Sequence, residues 1–282
     1  MRVTVLGSGT PEPYARRASS GYLVETGNEK LLFDCGGGVM GRLLEIGLRP
    51  ADIDILFLTH LHSDHMMDYA RLVHAAWDTG APPLTVYGPA PIAQISERLF
   101  GPDGAFAWDL RARTGGKPSQ KVWQDRGGTL PRPWPSPKIT ESEPGFAMDG
   151  TGWRLSSCEV PHAQPFLSCM AFRLETETGT VVYSGDAGLC QGMEELSAGA
   201  DLLIHWCYRG EGESISPALD AKSPTPSEIA EMAARVGVKR LVLTHIREHM
   251  DEAEPRRHAL AALAKTFPGD AVIAEDLDVF EV

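Results

Sequence analysis

Short apolar runs that stop at a small or polar residue recur along the 282 residues. In the first half they are Val3 to Leu6 before Gly7-Ser8-Gly9, Leu31 to Phe33 before Asp34-Cys35-Gly36, Ile53 to Leu58 before Thr59-His60, and Leu84 to Tyr87 before Gly88-Pro89. The second half repeats the idea with Val181 to Tyr183 before Ser184-Gly185-Asp186, Leu202 to Ile204 before His205, and Leu241 to Leu243 before Thr244-His245. Continuous β-branched and leucine runs of this length suit strands buried on both faces. Helical spacing lies between them over Met40 to Ile46, Met66 to Trp77 and Pro226 to Val236, the last led by the cap residue Thr225. Strands alternating with helices predict an α/β protein whose helices pack on sheet. Asp34 and Asp186 each follow a strand, as His60 and His245 do, which suggests an internal pseudo-repeat.

Residues 101 to 150 break the rhythm, with prolines at 102, 118, 131, 133, 135, 137 and 144 and the aromatic residues Phe106, Trp108 and Trp123. The expectation here is a long irregular loop or arm laid over a single domain that spans residues 1 to 282. Its charge also stands apart, because residues 101 to 140 carry seven basic side chains against three acidic ones. The whole chain carries −12, with a sequence pI near 5.2. A surface that negative repels polyanions, so nucleic acid is not the expected partner.

At 43% hydrophobic and 23% charged residues the composition excludes a disordered chain. The five cysteines, Cys35, Cys158, Cys169, Cys190 and Cys207, include no C-x-x-C pair, so neither a disulfide framework nor a zinc knuckle is indicated. The opening Met1-Arg2-Val3-Thr4-Val5-Leu6-Gly7 reads as a strand rather than a signal peptide. No apolar run approaches the roughly 18 residues a membrane span needs. These features predict a cytoplasmic protein without a membrane partner.

The densest chemistry is Thr59-His60-Leu61-His62-Ser63-Asp64-His65, directly after a core strand. Imidazole and carboxylate at the carboxyl edge of a sheet are ligands that a borderline divalent cation accepts. His162, Asp186 and His245 each read, on their own, as ordinary loop or core residues. His205 ends a strand-like run, where a structural histidine is the first reading and a proton donor the second. His74, His249 and His258 read as structural or solvated. The Ser8-Gly9-Thr10 turn could bind an anionic group through its backbone N–H groups, and Arg16 and Arg17 could steer one.

With these residues in view the sequence resembles the metallo-β-lactamase superfamily, whose signature is H-x-H-x-D-H, and within it the ribonuclease Z and arylsulfatase-like branch. The resemblance covers nearly the whole chain. It rests on Leu6-Gly7-Ser8-Gly9-Thr10-Pro11, Leu32-Phe33-Asp34-Cys35-Gly36, Leu58-Thr59-His60-Leu61-His62-Ser63-Asp64-His65, Val160-Pro161-His162, Tyr183-Ser184-Gly185-Asp186 and Leu243-Thr244-His245, in the family's order. It implies a four-layer αββα sandwich with the site between its sheets. It further implies that His60, His62 and His162 hold one metal, that Asp64, His65 and His245 hold a second, and that Asp186 bridges them, with Asp34 supporting the histidine loop from behind. The cofactors implied are two divalent ions, zinc first, with manganese or iron as alternatives.

Two cations among five neutral imidazoles and two carboxylates leave a net positive site, where a bridging water loses a proton near neutral pH and becomes a hydroxide nucleophile. Asp64 and His205 are the candidate catalytic residues. The expected function is a metal-dependent hydrolase of a small anionic ester, a phosphodiester or an aryl sulfate. The alternatives are a lactone or carboxylic ester hydrolase and a tRNA 3′-processing ribonuclease Z. Against the last, the chain has His205-Trp206 where ribonuclease Z enzymes carry His-Glu, and Ser223-Pro224-Thr225 where they carry a histidine before Ser-Thr. The partner expectations are a small anionic ester, no nucleic acid, no membrane, and a second copy of the chain in a homodimer.

Overall fold

The computed structural model describes residues 1–282. Seven strands build each of two sheets. The first sheet draws on β1 (Arg2–Gly7), β2 (Gly21–Glu25), β3 (Lys30–Phe33), β4 (Ile55–Phe57), β5 (Thr85–Gly88) and β6 (Lys138–Glu141). The second contains β7 (Ala147–Gly150), β8 (Trp153–Glu159), β9 (Met170–Thr176), β10 (Thr180–Tyr183), β11 (Leu202–Trp206), β12 (Arg240–Thr244) and β13 (Asp270–Ile273), while the last strand, β14 (Val279–Glu281), returns to the first sheet. The strand orders are β14-β1-β2-β3-β4-β5-β6 and β13-β12-β11-β10-β9-β8-β7.

Read from β14 and from β7, both sheets show three antiparallel pairings followed by three parallel ones. The pseudo-repeat is therefore present in the topology, with β3 matching β10 and β4 matching β11. Asp34 and Asp186 do occupy equivalent places, each just past an equivalent strand. His60 and His245 do not, because His60 follows β4 whereas His245 follows β12, one strand further along its sheet.

The helices are α1 (Val39–Glu45), α2 (Ser63–Met66), α3 (Tyr69–Asp78), α4 (Ile92–Phe100), α5 (Ala107–Gly115), α6 (Lys117–Asp125), α7 (Gln191–Ser197), α8 (Pro217–Asp220), α9 (Pro226–Arg235) and α10 (Ala253–Thr266). Three buried cores follow from their packing. One lies between the sheets and is rich in aromatics, among them Tyr22, Phe33, Phe57, Trp153, Phe172 and Tyr183. A second packs the first sheet under α1, α3 and α4 through Leu43, Leu56, Leu72, Val86 and Ile92. The third packs the second sheet under α7, α9 and α10 through Leu203, Met193, Ile229, Leu243 and Leu263. Helix, sheet, sheet, helix is the four-layer α/β sandwich that the resemblance implies.

The segment expected to be an irregular arm differs in detail. Residues 101 to 150 contain α5, α6, β6 and β7, and the last two are edge strands of opposite sheets, so the segment carries the chain from one sheet to the other. The prolines sit between these elements rather than excluding them, except for Pro118, which occupies the first turn of α6 where its missing N–H costs nothing. No helix is long and apolar enough to cross a membrane.

Candidate metal centre

The loop after β4 and the short helix α2 that it leads into deliver His60, His62, Asp64 and His65 to the gap between the sheets, and three further loops meet them with His162, Asp186 and His245. Their ligand atoms form two groups. His60, His62, His162 and Asp186 make one, and Asp64, His65, Asp186 and His245 make the other, with all atoms of a group within 4.8 Å of one another. Asp186 belongs to both.

The spacing within the first group is tight. His60 Nε2 lies 3.1 Å from His62 Nδ1, His162 Nε2 lies 3.2 Å from the same His62 nitrogen, and His162 Nε2 lies 3.6 Å from Asp186 Oδ2. Three imidazole nitrogens converging in this way match the roughly 3.3 Å ligand separation that tetrahedral coordination at about 2.0–2.1 Å imposes. In the second group His245 Nε2 lies 3.0 Å from Asp64 Oδ2 and 3.2 Å from Asp186 Oδ2, while His65 Nε2 lies 3.2 Å from Asp186 Oδ1 and 3.5 Å from Asp64 Oδ2. His65 Nε2 is buried and makes no hydrogen bond. A buried nitrogen without a hydrogen bond, facing two carboxylates, fits a site built for a cation.

Asp34 sets the aim of this ring. Wholly buried, its carboxylate accepts from His65 Nδ1 at 2.7 Å, from the Thr59 N–H and hydroxyl at 2.8 Å each, and from the Tyr183 hydroxyl at 2.8 Å. Fixing Nδ1–H on the carboxylate turns Nε2 toward the cluster, the arrangement by which supporting carboxylates orient ligating histidines. Asp34 and His245 both adopt left-handed backbone, with φ of 58° and 63°. Such strain in residues other than glycine persists only where the surrounding structure enforces it, and here it falls on two site residues. Gly36 is needed for close approach, since a Cβ there would lie 2.0 Å from the Asp64 carbonyl oxygen.

Burial pushes His60 well below the ordinary histidine value and His162 down to about 4, so both rings are neutral at pH 7 with lone pairs to offer. Burial opposes ionisation of Asp186, but the imidazoles of His245 and His65 outweigh it and hold the carboxyl well below the usual carboxylate range. Burial likewise disfavours charge on His65, yet Asp186 and Asp34 overcome it and raise the ring well above its ordinary value. The carboxylates that attract a proton to His65 would attract a cation in the same place.

The family model of the metallo-β-lactamase superfamily matches residues 14–245. This chain belongs to the metallo-β-lactamase superfamily. It is 32% identical to a ribonuclease Z of Mycobacterium sp. (strain KMS) over 292 aligned positions, covering all of this chain and 96% of that protein. Among solved structures it resembles the metallo-β-lactamase fold protein YhfI from Bacillus subtilis, with a TM-score of 0.76 at 24% identity over all of this chain and 98% of that one. It also resembles human tRNase Z, short form, with a TM-score of 0.68 at 21% identity over all of this chain and 99% of that one. With a ribonuclease Z relative aligned over the whole chain, this superfamily member is a hydrolase acting on ester bonds. Relatives named ribonuclease Z weigh against the exclusion of nucleic acid drawn from the net charge, because net charge describes the whole surface and a substrate meets only part of it.

Other expectations need correction. His205 is fully buried, and its Nδ1–H donates to the Trp206 carbonyl at 2.8 Å. Strand alternation puts it on the helix-facing side with Leu203 and Cys207, while Ile204 faces the other sheet, so the structure does not bring His205 to the cluster. Arg17 steers nothing. Its side chain is wholly buried, bonds Asp251 through Nε at 2.7 Å and Nη2 at 2.6 Å, and reaches the Ser8 hydroxyl at 2.6 Å and the Ala274 carbonyl through Nη1. Arg16 is committed to Glu275 at 2.7 Å. The small-residue turn is occupied as well, because the Ser8 N–H donates to Asp276 and the Gly9 N–H to the Ala18 carbonyl. His74 packs its ring on Phe106 and Phe100, and His249 and His258 lie outside the cluster.

Other residues that shape the site carry no signal in the sequence. Trp206 stacks on Tyr208, and its ring stands edge-on to His162 and His245. Tyr14 donates to the Ile246 carbonyl at 3.0 Å while the Ile246 N–H donates to the Ser8 carbonyl at 2.8 Å, so the residue after His245 is held on both sides. No local motif marks these contacts, and those of Ile246 with Tyr14 and Ser8 join positions more than 200 residues apart in the chain.

Proposed function

We propose that the chain is a dinuclear metal-dependent phosphodiester hydrolase. The observation that carries this reading is the shared carboxylate of Asp186, flanked by His60, His62 and His162 on one side and by Asp64, His65 and His245 on the other. Two cations held there would supply Lewis acidity for a phosphoryl oxygen and lower the pKa of water. Zinc suits the imidazole-rich first set, and manganese or iron is the alternative.

The residues divide the remaining work. Asp34 and Thr59 fix the histidine loop, and the Trp206–Tyr208 stack forms an apolar wall beside His162 and His245. No side chain that can donate a proton replaces the glutamate expected after His205, since Trp206 stands there. Phosphodiesters with a good leaving group would therefore turn over fastest. The names of the relatives support RNA as the natural phosphodiester, while the indole at position 206 and the acidic surface favour a small one.

The experiment is a comparison on metal-loaded protein of a precursor tRNA, an aryl phosphodiester, an aryl sulfate and a lactone, with Asp64→Ala as control. Turnover of either phosphodiester that is lost in the control supports the reading, and the ratio between them selects RNA or small substrate. Turnover confined to the sulfate or the lactone would overturn it.

A further inference from the structure

Three of the seven basic side chains of residues 101 to 140 meet at a pocket beside the end of α3. Arg113, Arg126 and Arg132 converge on the carboxylate of Asp78 at the end of α3, at 3.4, 3.3 and 2.9 Å. Three guanidinium groups share one carboxylate, and the only other acidic partner among them is Asp109, which pairs with Arg113 at 2.9 Å. The Arg132 side chain is 5% exposed, with its guanidinium 3.8 Å from the ring centre of Trp77 and 4.8 Å from that of Trp123. Its Nε is buried and has no hydrogen-bond partner. The two indole faces hold the guanidinium in place, with its charge at the pocket wall.

The three arginines and Asp78 line an open pocket of about 240 Å³ together with Trp123 and with Pro118 and Ser119 of the first turn of α6. The Ser119 N–H is one of the donors that a helical first turn leaves without a carbonyl partner, and the helix dipole there favours negative charge. Arginine forks match phosphate geometry better than any other side chain.

We propose that this pocket is a phosphate-binding site separate from the metal centre. Thirteen residues separate His65 from Asp78 across α2 and α3, which at 1.5 Å per residue places the pocket at most about 20 Å along the chain from the cluster. Helix α3 runs from the carboxyl edge of the sheet, where the cluster lies, toward the other edge. The phosphate is that of a free anion or that of a nucleic-acid backbone whose chain runs along α3, and the chemistry of capture is the same.

The test is calorimetric titration of inorganic phosphate into the full metal-loaded chain, in which binding at the metal centre is the part that Arg126→Ala leaves unchanged. Phosphate binding at the pocket is expected, and Arg126→Ala, an exposed position, is expected to weaken it about tenfold, the loss of one charge-assisted contact. Arg113→Ala should act alike, and an unchanged melting temperature shows that each variant folds. Arg126→Ala alone should leave turnover of a small aryl phosphodiester unchanged. In a second arm, single-stranded RNA that binds at least tenfold tighter than phosphate, with the excess lost in Arg126→Ala, identifies a nucleic-acid backbone as the source. RNA no tighter than phosphate identifies a free anion. Absence of phosphate binding, or affinity that neither arginine substitution changes, overturns the proposal.

Discussion

At residue scale, the hydrogen-bond capacity of Asp34 explains why one buried carboxylate can organise the histidine loop. It accepts four bonds, two of them from Thr59 and one each from His65 and Tyr183. Asparagine in its place would set an NH2 group against donors. Asp34→Asn is therefore expected to leave the fold intact but weaken metal binding about 10- to 100-fold, measured by competition with a chelator. Equal metal affinity in the two proteins would show that His65 is positioned without Asp34.

His205 makes the opposite case, a histidine beside the chemistry in sequence but behind it in space. Burial pushes it down to about 4 from an ordinary value near 6.5, although the bond to the Trp206 carbonyl favours the charged ring. The folded value lies below the unfolded one, so the unfolded chain takes up the proton first. Stability from the neutral ring is complete above about pH 6.5 and falls as the pH drops toward 4. Between about pH 7.5 and 4.5 the loss is on the order of 2–3 kcal/mol. Urea midpoints at the two pH values should therefore differ less in His205→Gln than in the wild type. An unaltered difference would mean that His205 is not the group that titrates.

At the scale of elements, the loop after β12 shows how a ligand on one sheet is held by segments from the far end of the chain. Arg17, on the loop before β2, ties Asp251 to Ser8 and Ala274, and Tyr14 bonds both Asp251 and Ile246. Removing one partner of a buried ion pair typically costs about 3–5 kcal/mol, because the other is left uncompensated. Arg17→Met is expected to destabilise the protein by about that amount in urea denaturation and to lower metal occupancy, through the freed His245 loop, under conditions where it stays folded. A loss below about 1 kcal/mol would show that the pair is solvated.

The same scale shows which elements are legible from pattern. The strands before Asp34, His60, Asp186 and His245 were visible because each is a continuous apolar run buried on both faces. Helix α9 was visible from its cap, and Thr225 and Glu228 form the capping box. Strands β6 and β7 were not. They are edge strands, half-exposed and rich in polar residues, so neither periodicity nor hydrophobicity distinguishes them from the proline-rich chain around them.

At the scale of the whole molecule, two sheets with the same pairing pattern face each other across an aromatic core, and the candidate metal centre lies between their loops. Ligands from four separate loops mean that cation binding ties both halves together. Chelation is expected to lower the thermal midpoint and added zinc to restore it, with about 2.7 kcal/mol of stabilisation at a hundredfold excess over the dissociation constant. A midpoint indifferent to chelator and zinc alike would separate the cluster from metal binding.

The layered α/β class and the four ligands His60, His62, Asp64 and His65 are legible in the chain alone, because core strands are written as local apolar runs and that ligand motif is local, whereas His162, Asp186 and His245 read as ordinary residues and join the set only through the family resemblance. The tertiary structure alone decided which face His205 occupies, that Arg16, Arg17 and the Ser8 turn are spent on internal bonds, and that Trp206 borders the cluster. It also brought three of the seven basic side chains of residues 101 to 140 to one pocket around Asp78. Each of these depends on pairing partners far apart in the chain, and an arginine or histidine reads the same in sequence whether a carboxylate waits for it or not.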